Sequence, residues 1–430
     1  MSDPLQSGMR VLVVGSGGRE HALVWAVAQS PSVAEVWAAP GNPGMASLAT
    51  LVPLKATDVA GLTAWARDNA IDFVVIGPDA AVAAGLADAL AEEGILAFGP
   101  TQAASELEWS KVFAKQFMTR HGIPTAAYGT YDSLEEALAF VDEAPEPLVV
   151  KADGLAAGKG VLICQTREEA TEAVRAIMEE RAFGDAGDQV VIEEFLTGPE
   201  LSVFALIDGE RYALLPLARD YKRLNDADEG PNTGGMGSFA PVTDVPAAVI
   251  DQIRARVIEP TIAGMAAEGR PYRGVLYVGF ILAAHGPQVL EYNCRFGDPE
   301  TQVLLPLLEG DIALLLCQCA AGQLPPGDVP VRDGAAVCVV LASGGYPEAP
   351  RTGDRIDGVA AAEAAGALVF QAGVAERDGG LVTNGGRVLA TVGVRESLDE
   401  ARALAYEASG EITFVGKHLR HDIAAGSPGT

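Results

Sequence analysis

Glu291, Asn293 and Arg295 stand two apart in the run Glu291-Tyr292-Asn293-Cys294-Arg295-Phe296-Gly297-Asp298-Pro299-Glu300-Thr301-Gln302. A carboxylate, an amide and a guanidinium at that spacing are the parts needed to hold magnesium against phosphate. Residues 274–284 and 287–291 read as two apolar strands joined at His285-Gly286, which puts Glu291 and Asn293 near a strand end. Side chains at i and i+2 share a face of a strand. A carboxylate and an amide oxygen projecting together suit a hard cation that keeps some waters and bridges to phosphate, and Arg295 can add planar donors to the same anion. The residues equally fit a polar strand end running into a Gly-Asp-Pro turn, and the pattern alone does not separate the two.

Other segments offer complementary chemistry. The chain has a net charge of −28 and only seven lysines, at 55, 111, 115, 151, 159, 222 and 417, of which Lys111, Lys151, Lys159 and Lys222 adjoin glycine-rich or motif-like stretches. Lys151-Ala152-Asp153-Gly154-Leu155-Ala156-Ala157-Gly158-Lys159-Gly160 is a glycine loop with a lysine near each end. It is not a P-loop, because Asp153 stands where the first glycine belongs and Gly160 where Ser or Thr would ligate magnesium. A flexible hairpin or a loop folding over a triphosphate both fit. Gly230-Pro231-Asn232-Thr233-Gly234-Gly235-Met236-Gly237 follows Arg219-Asp220-Tyr221-Lys222-Arg223 and reads as a substrate loop whose glycines expose backbone amides to an anion. Val190-Val191-Ile192-Glu193-Glu194-Phe195-Leu196 reads as a strand able to present backbone to an adenine edge, although such acids commonly just face water. Gly15-Ser16-Gly17-Gly18-Arg19-Glu20-His21 is a glycine turn into a helix N-terminus, a place for an anion or a tight turn. It fails as a dinucleotide fingerprint, since Glu20 replaces the third glycine and no ribose-binding acid follows the second strand. The five histidines build no catalytic or metal arrangement; His21, His418 and His421 read as solvated or capping.

These parts need elements to place them. Strands at 10–14, 34–39, 72–76 and 95–98 alternate with helices at 20–29, 58–69 and 80–93, which predicts a parallel sheet covered by helices. Thr101 caps a helix over 103–120, and Ser133 with Glu136 makes a capping box. Strands at 147–151 and 160–165, then a hairpin of 201–207 and 212–217 about Asp208-Gly209, read as antiparallel α+β. Residues 323–328 look like a linker to a last unit with strands at 335–341, 368–371 and 387–393 and a helix at 398–408, and the tail 424–430 reads as disordered.

At 430 residues the length fits about three domains. Hydrophobic content of 49% with 20% charged residues is soluble globular composition. The acidic balance opposes nucleic-acid binding. Glu309 and Asp311 interrupt the longest apolar stretch, so no membrane span is expected, and with no leader at the start a cytoplasmic protein is the expectation. Five cysteines without a Cys-x-x-Cys pair argue for free buried thiols.

Taken together, the segments resemble the ATP-grasp superfamily, and more closely the phosphoribosylamine-glycine ligases, or glycinamide ribonucleotide synthetases, over essentially the whole chain. Residues 14–21, Pro40-Gly41-Asn42-Pro43-Gly44, residues 151–161, residues 230–237 and above all Arg295-Phe296-Gly297-Asp298-Pro299-Glu300 carry the likeness. It implies a multidomain α/β and α+β ATP-grasp fold: a parallel α/β pre-ATP-grasp domain at 9–109, an ATP-grasp core at 110–128 and 196–330, a lid at 129–195 and a mixed α/β domain at 331–423. By the same resemblance Lys111, Lys151, Gly154, Gly158, Lys159 and Gly160 hold the ATP phosphates, Glu193, Glu194, Phe195 and Leu196 the adenine, and Glu200 the ribose. Glu291 and Asn293 ligate Mg2+ or Mn2+, and Arg295 with Lys151 acts on the phosphoryl group. Gly17, Gly18, Asn42, Pro43, Asp220, Lys222, Asn232, Thr233, Gly234, Gly235, Asp298 and Pro299 contact the remaining substrates. The implied reaction joins glycine to 5-phosphoribosylamine through glycyl phosphate at the expense of ATP, in a cytoplasmic monomer of purine biosynthesis. The sequence departs from the family pattern at Asp79 (usually Glu), Ala81 (Pro), Trp109 (a small residue), Arg219 (Gln) and Tyr221 (His). Another ATP-grasp enzyme acting on a different acid, or a non-catalytic nucleotide-binding module, are the alternatives.

Overall fold

The computed structural model describes residues 8–154 and 160–426. Near-continuous runs of Val, Leu and Ile make Met9–Gly15 and Phe73–Ile76 buried on both faces, as parallel strands require. They form the centre of a five-stranded parallel sheet, in the order Thr50–Leu51, Val33–Pro40, Met9–Gly15, Phe73–Ile76, Leu96–Phe98. Strand order reverses beside Met9–Gly15, so the Gly15–Gly18 turn lies at a crevice that such sheets use for ligands.

Two expected helices are broken. The stretch 80–93 is two helices, Asp79–Ala83 and Leu86–Glu92, parted by Gly85 at φ +80°, a left-handed conformation that ends the first helix. The stretch 103–120 is likewise Glu106–Trp109 and Lys111–Arg120, because Ser110 is extended and its hydroxyl accepts from the Phe113 amide, starting a new helix. Of the expected capping box at Ser133, the Ser133 half is formed, with its hydroxyl accepting from the Glu136 amide.

Strands Tyr128–Tyr131, Val190–Glu194, Leu148–Ala152 and Val161–Cys164 make a four-stranded antiparallel sheet, with helices Leu134–Glu143 and Arg167–Met178 packed together beside it. A central antiparallel sheet runs Tyr212–Leu214, Glu200–Asp208, Arg273–Ala283, Gly286–Asn293. Its last pair carries a bulge: Gly279 faces Glu291 while Phe280 faces Val289, leaving Leu290 as the extra residue. The bulge resets the strand just before Glu291.

The C-terminal sheet crosses the expected boundary at 331. Arg219–Asp220 and Gly237–Ala240 supply its first two strands, followed by Ala335–Ala342, Arg387–Arg395 and Leu368–Gln371. A hairpin of Val374–Arg377 with Gly380–Thr383, absent from the sequence reading, is added beyond it. The tail expected to be disordered begins ordered: Ala424 is buried and its amide donates to the Tyr221 hydroxyl, while 427–430 lie outside the described residues. All five cysteines are buried and none is in a disulfide. Among the described residues no helix is long and apolar enough to cross a membrane.

Candidate active site

The bulge at Leu290 frees a carbonyl, and Lys151 Nζ donates to it at 3.2 Å. This contact docks the 128–194 unit onto the strand end that bears Glu291. Lys111, first residue of its helix, donates to the Gly154 carbonyl at 3.0 Å, and Asp153 accepts from the Val112 amide at 3.0 Å. The start of the glycine loop is thus tied to the helix at Ser110. The loop joins two antiparallel strands, with Lys151 opposite Val161, and the Ala152 amide donates to the Gly160 carbonyl at 2.9 Å. The expected phosphate contacts at Gly158 and Lys159 lie outside the described residues.

Glu291 is the electrostatic centre. Burial pushes its carboxyl up, but Lys222, Lys151, Lys111 and Arg295 together hold it below the ordinary carboxylate range. Among the described residues its carboxylate has no hydrogen bond or ion pair of its own. Asn293 Oδ1 accepts from Arg295 Nη2 at 2.9 Å, while its buried Nδ2 has no partner. Glu291 offers acceptor oxygens and Asn293 Oδ1 keeps a second lone pair, so both have oxygen atoms with capacity for a cation, whereas the unpartnered Asn293 Nδ2 is a donor. Among the described residues no three His, Cys, Asp or Glu side chains cluster as an all-protein metal cage. The oxygen donors present, the Glu291 carboxylate and Asn293 Oδ1, suit a hard divalent cation that fills the rest of its shell with water and phosphate.

Several expected contacts turn out to be used within the protein. Glu193 is buried between Lys115 and Lys151 and ion-paired to both, so its carboxylate serves the lysines; the two together hold it below its ordinary value against burial. Glu194 accepts from the Ala127 amide at 2.9 Å, and Phe195 and Leu196 are half-buried. Glu200 is exposed and pairs with Lys222 at 2.8 Å.

The glycine loop does not present free amides. Thr233 N donates to the Lys222 carbonyl, Gly234 N to the Tyr346 hydroxyl, Gly235 N to Thr233 Oγ1 and Met236 N to the Tyr221 carbonyl. Its glycines permit close approach instead: at Gly235, φ +109°, a Cβ would stand 2.5 Å from Pro299 Cδ. Asn232 pairs with Arg223 in a short hairpin. Nor is the first glycine turn an open anion site, because the Glu20 carboxylate accepts from Gly17 N at 2.6 Å and fills the space beside Gly15 and Gly77. Gly17 and Gly18 border Asp298 and Gln302. Asn42 accepts from the Gly44 amide, at Pro43's three-residue turn, and donates to the Ser16 and Gln371 carbonyls. His21, expected to be solvated, is buried, and its Nδ1 accepts from Gln371 N at 2.8 Å.

Three functional neighbours escaped the sequence reading. Lys115 follows Lys111 by one helical turn, a spacing that places both on one face and could have been read. Glu108 pairs with Arg295 at 3.1 Å and accepts from Cys294 N; burial pushes its carboxyl up and Arg295 opposes the shift. Arg387, from the C-terminal sheet, donates to the Gly234 carbonyl at 2.6 Å, to the Asp298 carbonyl at 2.7 Å and to Asp298 Oδ2 at 3.0 Å. No local pattern marks Glu108 or Arg387. The unusual Arg219 and Tyr221 are absorbed structurally, Arg219 by Asp244 and the Glu200 carbonyl, Tyr221 by Ala424 N and by Arg420 above its ring at 4.8 Å.

Family models for phosphoribosylglycinamide synthetase match residues 9–108 as the N domain, 109–301 as the ATP-grasp (A) domain and 336–426 as the C domain. The chain belongs to the phosphoribosylglycinamide synthetase family. Within this family it is 50% identical over 417 residues to the phosphoribosylamine-glycine ligase of Caulobacter vibrioides, covering 96% of this chain and 97% of that one. It is 47% identical over 419 residues to the trifunctional purine biosynthetic protein adenosine-3 of Gallus gallus, 96% of this chain but 42% of that protein. The crystal structure of the Thermotoga maritima phosphoribosylamine-glycine ligase superposes with a TM-score of 0.85 at 41% identity, covering 97% of this chain and 100% of that one. A biotin carboxylase domain from Hydrogenobacter thermophilus shares the fold alone, at TM-score 0.73 and 17% identity over 96% and 92% of the two chains.

Proposed function

We propose that this chain is an ATP-dependent ligase that joins glycine to 5-phosphoribosylamine, yielding glycinamide ribonucleotide, ADP and phosphate. The observation that carries the reading is Glu291, a carboxylate without a hydrogen-bond or ion-pair partner among the described residues, set among Lys111, Lys151, Lys222 and Arg295. Family membership with the named ligases supplies the substrates.

A carboxylate becomes an electrophile only when one oxygen becomes a leaving group, and phosphorylating glycine from ATP does this. Phosphoryl transfer asks for positioning and charge stabilisation rather than a protein nucleophile. Lys111 and Lys151 supply positive charge from two units whose approach is set by the Leu290 and Gly154 carbonyls. Arg295, kept charged against burial by Glu108 and Asp79, aims its guanidinium along the same strand end. Glu291 and Asn293 would hold magnesium or manganese, which when bound neutralises the charge developing on the phosphate oxygens. The 129–195 unit, carrying Lys151, acts as a lid that keeps water from the acyl phosphate. We take the enzyme to work as a cytoplasmic monomer.

The test is ADP release with glycine and phosphoribosylamine supplied singly and together. Release that needs neither, or that another acid supports better, sinks the assignment. Glu291→Gln should lower turnover by about 100-fold or more while the protein stays folded; near-normal turnover at limiting magnesium would count against the site.

A further inference from the structure

Three buried charges sit where the 128–194 unit meets the strand that leads to Glu291. Lys115 and Glu193 are each 2% exposed and Lys151 6%. Glu193 faces Val149 across the sheet, so Lys151, two residues along that neighbouring strand, shares its face. Lys115 comes from outside the sheet, on the helix Lys111–Arg120. Glu193 Oε1 is ion-paired to Lys151 and Oε2 to Lys115, one lysine to each oxygen. Two ammonium groups thus share one carboxylate, and one positive charge is left over.

The trio hangs from consecutive carbonyls of one strand. Lys115 Nζ donates to Thr125 Oγ1 at 2.7 Å, and Thr125 Oγ1 donates to the Val289 carbonyl at 2.7 Å. Lys151 Nζ donates to the next carbonyl, that of Leu290, at 3.2 Å. An ammonium has three N–H groups. Those of Lys115 are taken up within the protein, by Glu193, by Thr125 and by the Tyr128 ring, whose centroid is 5.6 Å away. Among the described residues Lys151 has two partners, Glu193 and the Leu290 carbonyl, and therefore one N–H in hand. Burial lowers Lys115 to about 8 while Glu193 opposes the shift, so it is charged at neutral pH.

Resting on the ligase reading, in which Lys151 meets an ATP phosphate, we propose that Lys115 is a positioning residue for ATP that acts through Glu193. A buried carboxylate held by Lys151 alone would neutralise that lysine and draw its ammonium back against the sheet. With Lys115 on its second oxygen, Glu193 has its charge answered from two sides, and Lys151 keeps both the surplus charge and the free N–H for the phosphate. The ties to the Val289 and Leu290 carbonyls fix that N–H relative to Glu291, the next residue of the chain. Glu193 is thereby a spacer between a lysine that stays inside the protein and a lysine that reaches substrate. Lys115 touches no reacting atom; its work is to keep Lys151 from being spent on Glu193.

Calorimetric titration of the full-length protein with magnesium-ATP at neutral pH reads the effect directly. Lys115→Met should weaken ATP binding about ten-fold or more, because Glu193 then claims Lys151, while the KM for glycine in ADP release stays at the wild-type value. Adding Glu193→Gln to Lys115→Met removes the carboxylate that claims Lys151 and should restore most of the lost affinity. A structural role predicts the reverse, since the double variant strips two charges from a buried site. Wild-type ATP affinity in Lys115→Met overturns the proposal. So does a double variant that binds ATP no better than Lys115→Met, or a rise in KM for glycine equal to the loss of ATP affinity. Should Lys115→Met fail to fold, Lys115→Gln, which keeps donors for Glu193 and Thr125 and gives up the charge, decides by the same readings. Failure of the ligase reading looks different: the wild type then releases no ADP with glycine and phosphoribosylamine together, whatever the variants do to ATP binding.

Discussion

His21 should make the enzyme lose stability in mild acid, by an amount the structure sets. The residue is 6% exposed on the helix Gly18–Ala28, its ring edge-on to Phe370 at 5.4 Å, with Gln371 N donating to Nδ1. Burial lowers its pKa from 6.5 to about 4. The folded value lies below the unfolded one, so between those limits the unfolded chain binds a proton that the folded chain refuses. The stabilising contribution is therefore whole above pH 6.5, starts to fall below it and is gone below about pH 4. At about 1.4 kcal/mol per pH unit the full interval is worth about 3 kcal/mol, of which about 2 kcal/mol is lost by about pH 5. Protonation would also set a ring N–H against the Gln371 N–H, so the contact between the first helix and the strand Leu368–Gln371 should open first. Urea unfolding followed by circular dichroism at pH 7.5 and pH 5, for wild type and His21→Gln, isolates this effect, because other titrating groups act on both proteins alike. The variant should be weaker at pH 7.5 and should lose about 2 kcal/mol less than wild type on going to pH 5. Parallel losses in the two proteins would refute the reasoning.

Glu108→Gln should destabilise the protein by about 3 kcal/mol, because it leaves the Arg295 guanidinium without its paired charge; a thermal shift within error of wild type would show that Asp79 and Glu300 suffice. Gly235→Ala and Gly85→Ala form a contrasting pair, measured by the same thermal unfolding. At Gly85 the nearest atoms are 3.7 Å from a Cβ, so only the left-handed backbone is penalised, at about 1 kcal/mol. At Gly235 the Pro299 ring stands in the way as well, and the cost should exceed that of Gly85→Ala and be accompanied by a raised KM for phosphoribosylamine. Equal costs at the two glycines would mean that the 230–237 loop yields freely.

The metal end of the site was legible because its signal is local. An i, i+2 pair at a strand end needs only the strand, and few lysines in an acidic chain leave few candidates for its countercharge. The parallel sheet was legible for the same reason, from Val- and Ile-rich runs alternating with helical stretches. What escaped depends on partners distant in sequence. Gly237–Ala240 gives no sign that it will pair with Ala335–Ala342, and that pairing carries the C-terminal sheet across the expected boundary. Among the amides of the 230–237 loop, Gly234 N turns to Tyr346, more than a hundred residues away, while Thr233 N, Gly235 N and Met236 N turn to Lys222, Thr233 and Tyr221, near partners that a count of glycines passes over. Glu20 could be read only as a failed third glycine, whereas its carboxylate takes the place at Gly17 N that an anion would need.

The run from Glu291 to Gln302 therefore has two halves that work by different physics. In the first, Glu291 has no hydrogen bond or ion pair among the described residues and Asn293 Nδ2 is a donor without a partner. In the second half Asp298 is engaged by Arg387 and by Gln302 of the same run, and the Pro299 carbonyl by Ser238, while Gln302 Oε1 is buried without a partner. Arg387 also holds the Gly234 carbonyl, so a shift of the C-terminal sheet would move the glycine loop and Asp298 together. Asp298 borders Gly17 and Gly18, and Arg19 reaches the Phe296 carbonyl at 3.0 Å, which brings the first domain into the same joint. Gly297 to Glu300 thus lies where the first domain, the 230–237 loop and the C-terminal sheet meet, and substitutions there should disturb the relative placement of those three parts before they disturb any one of them.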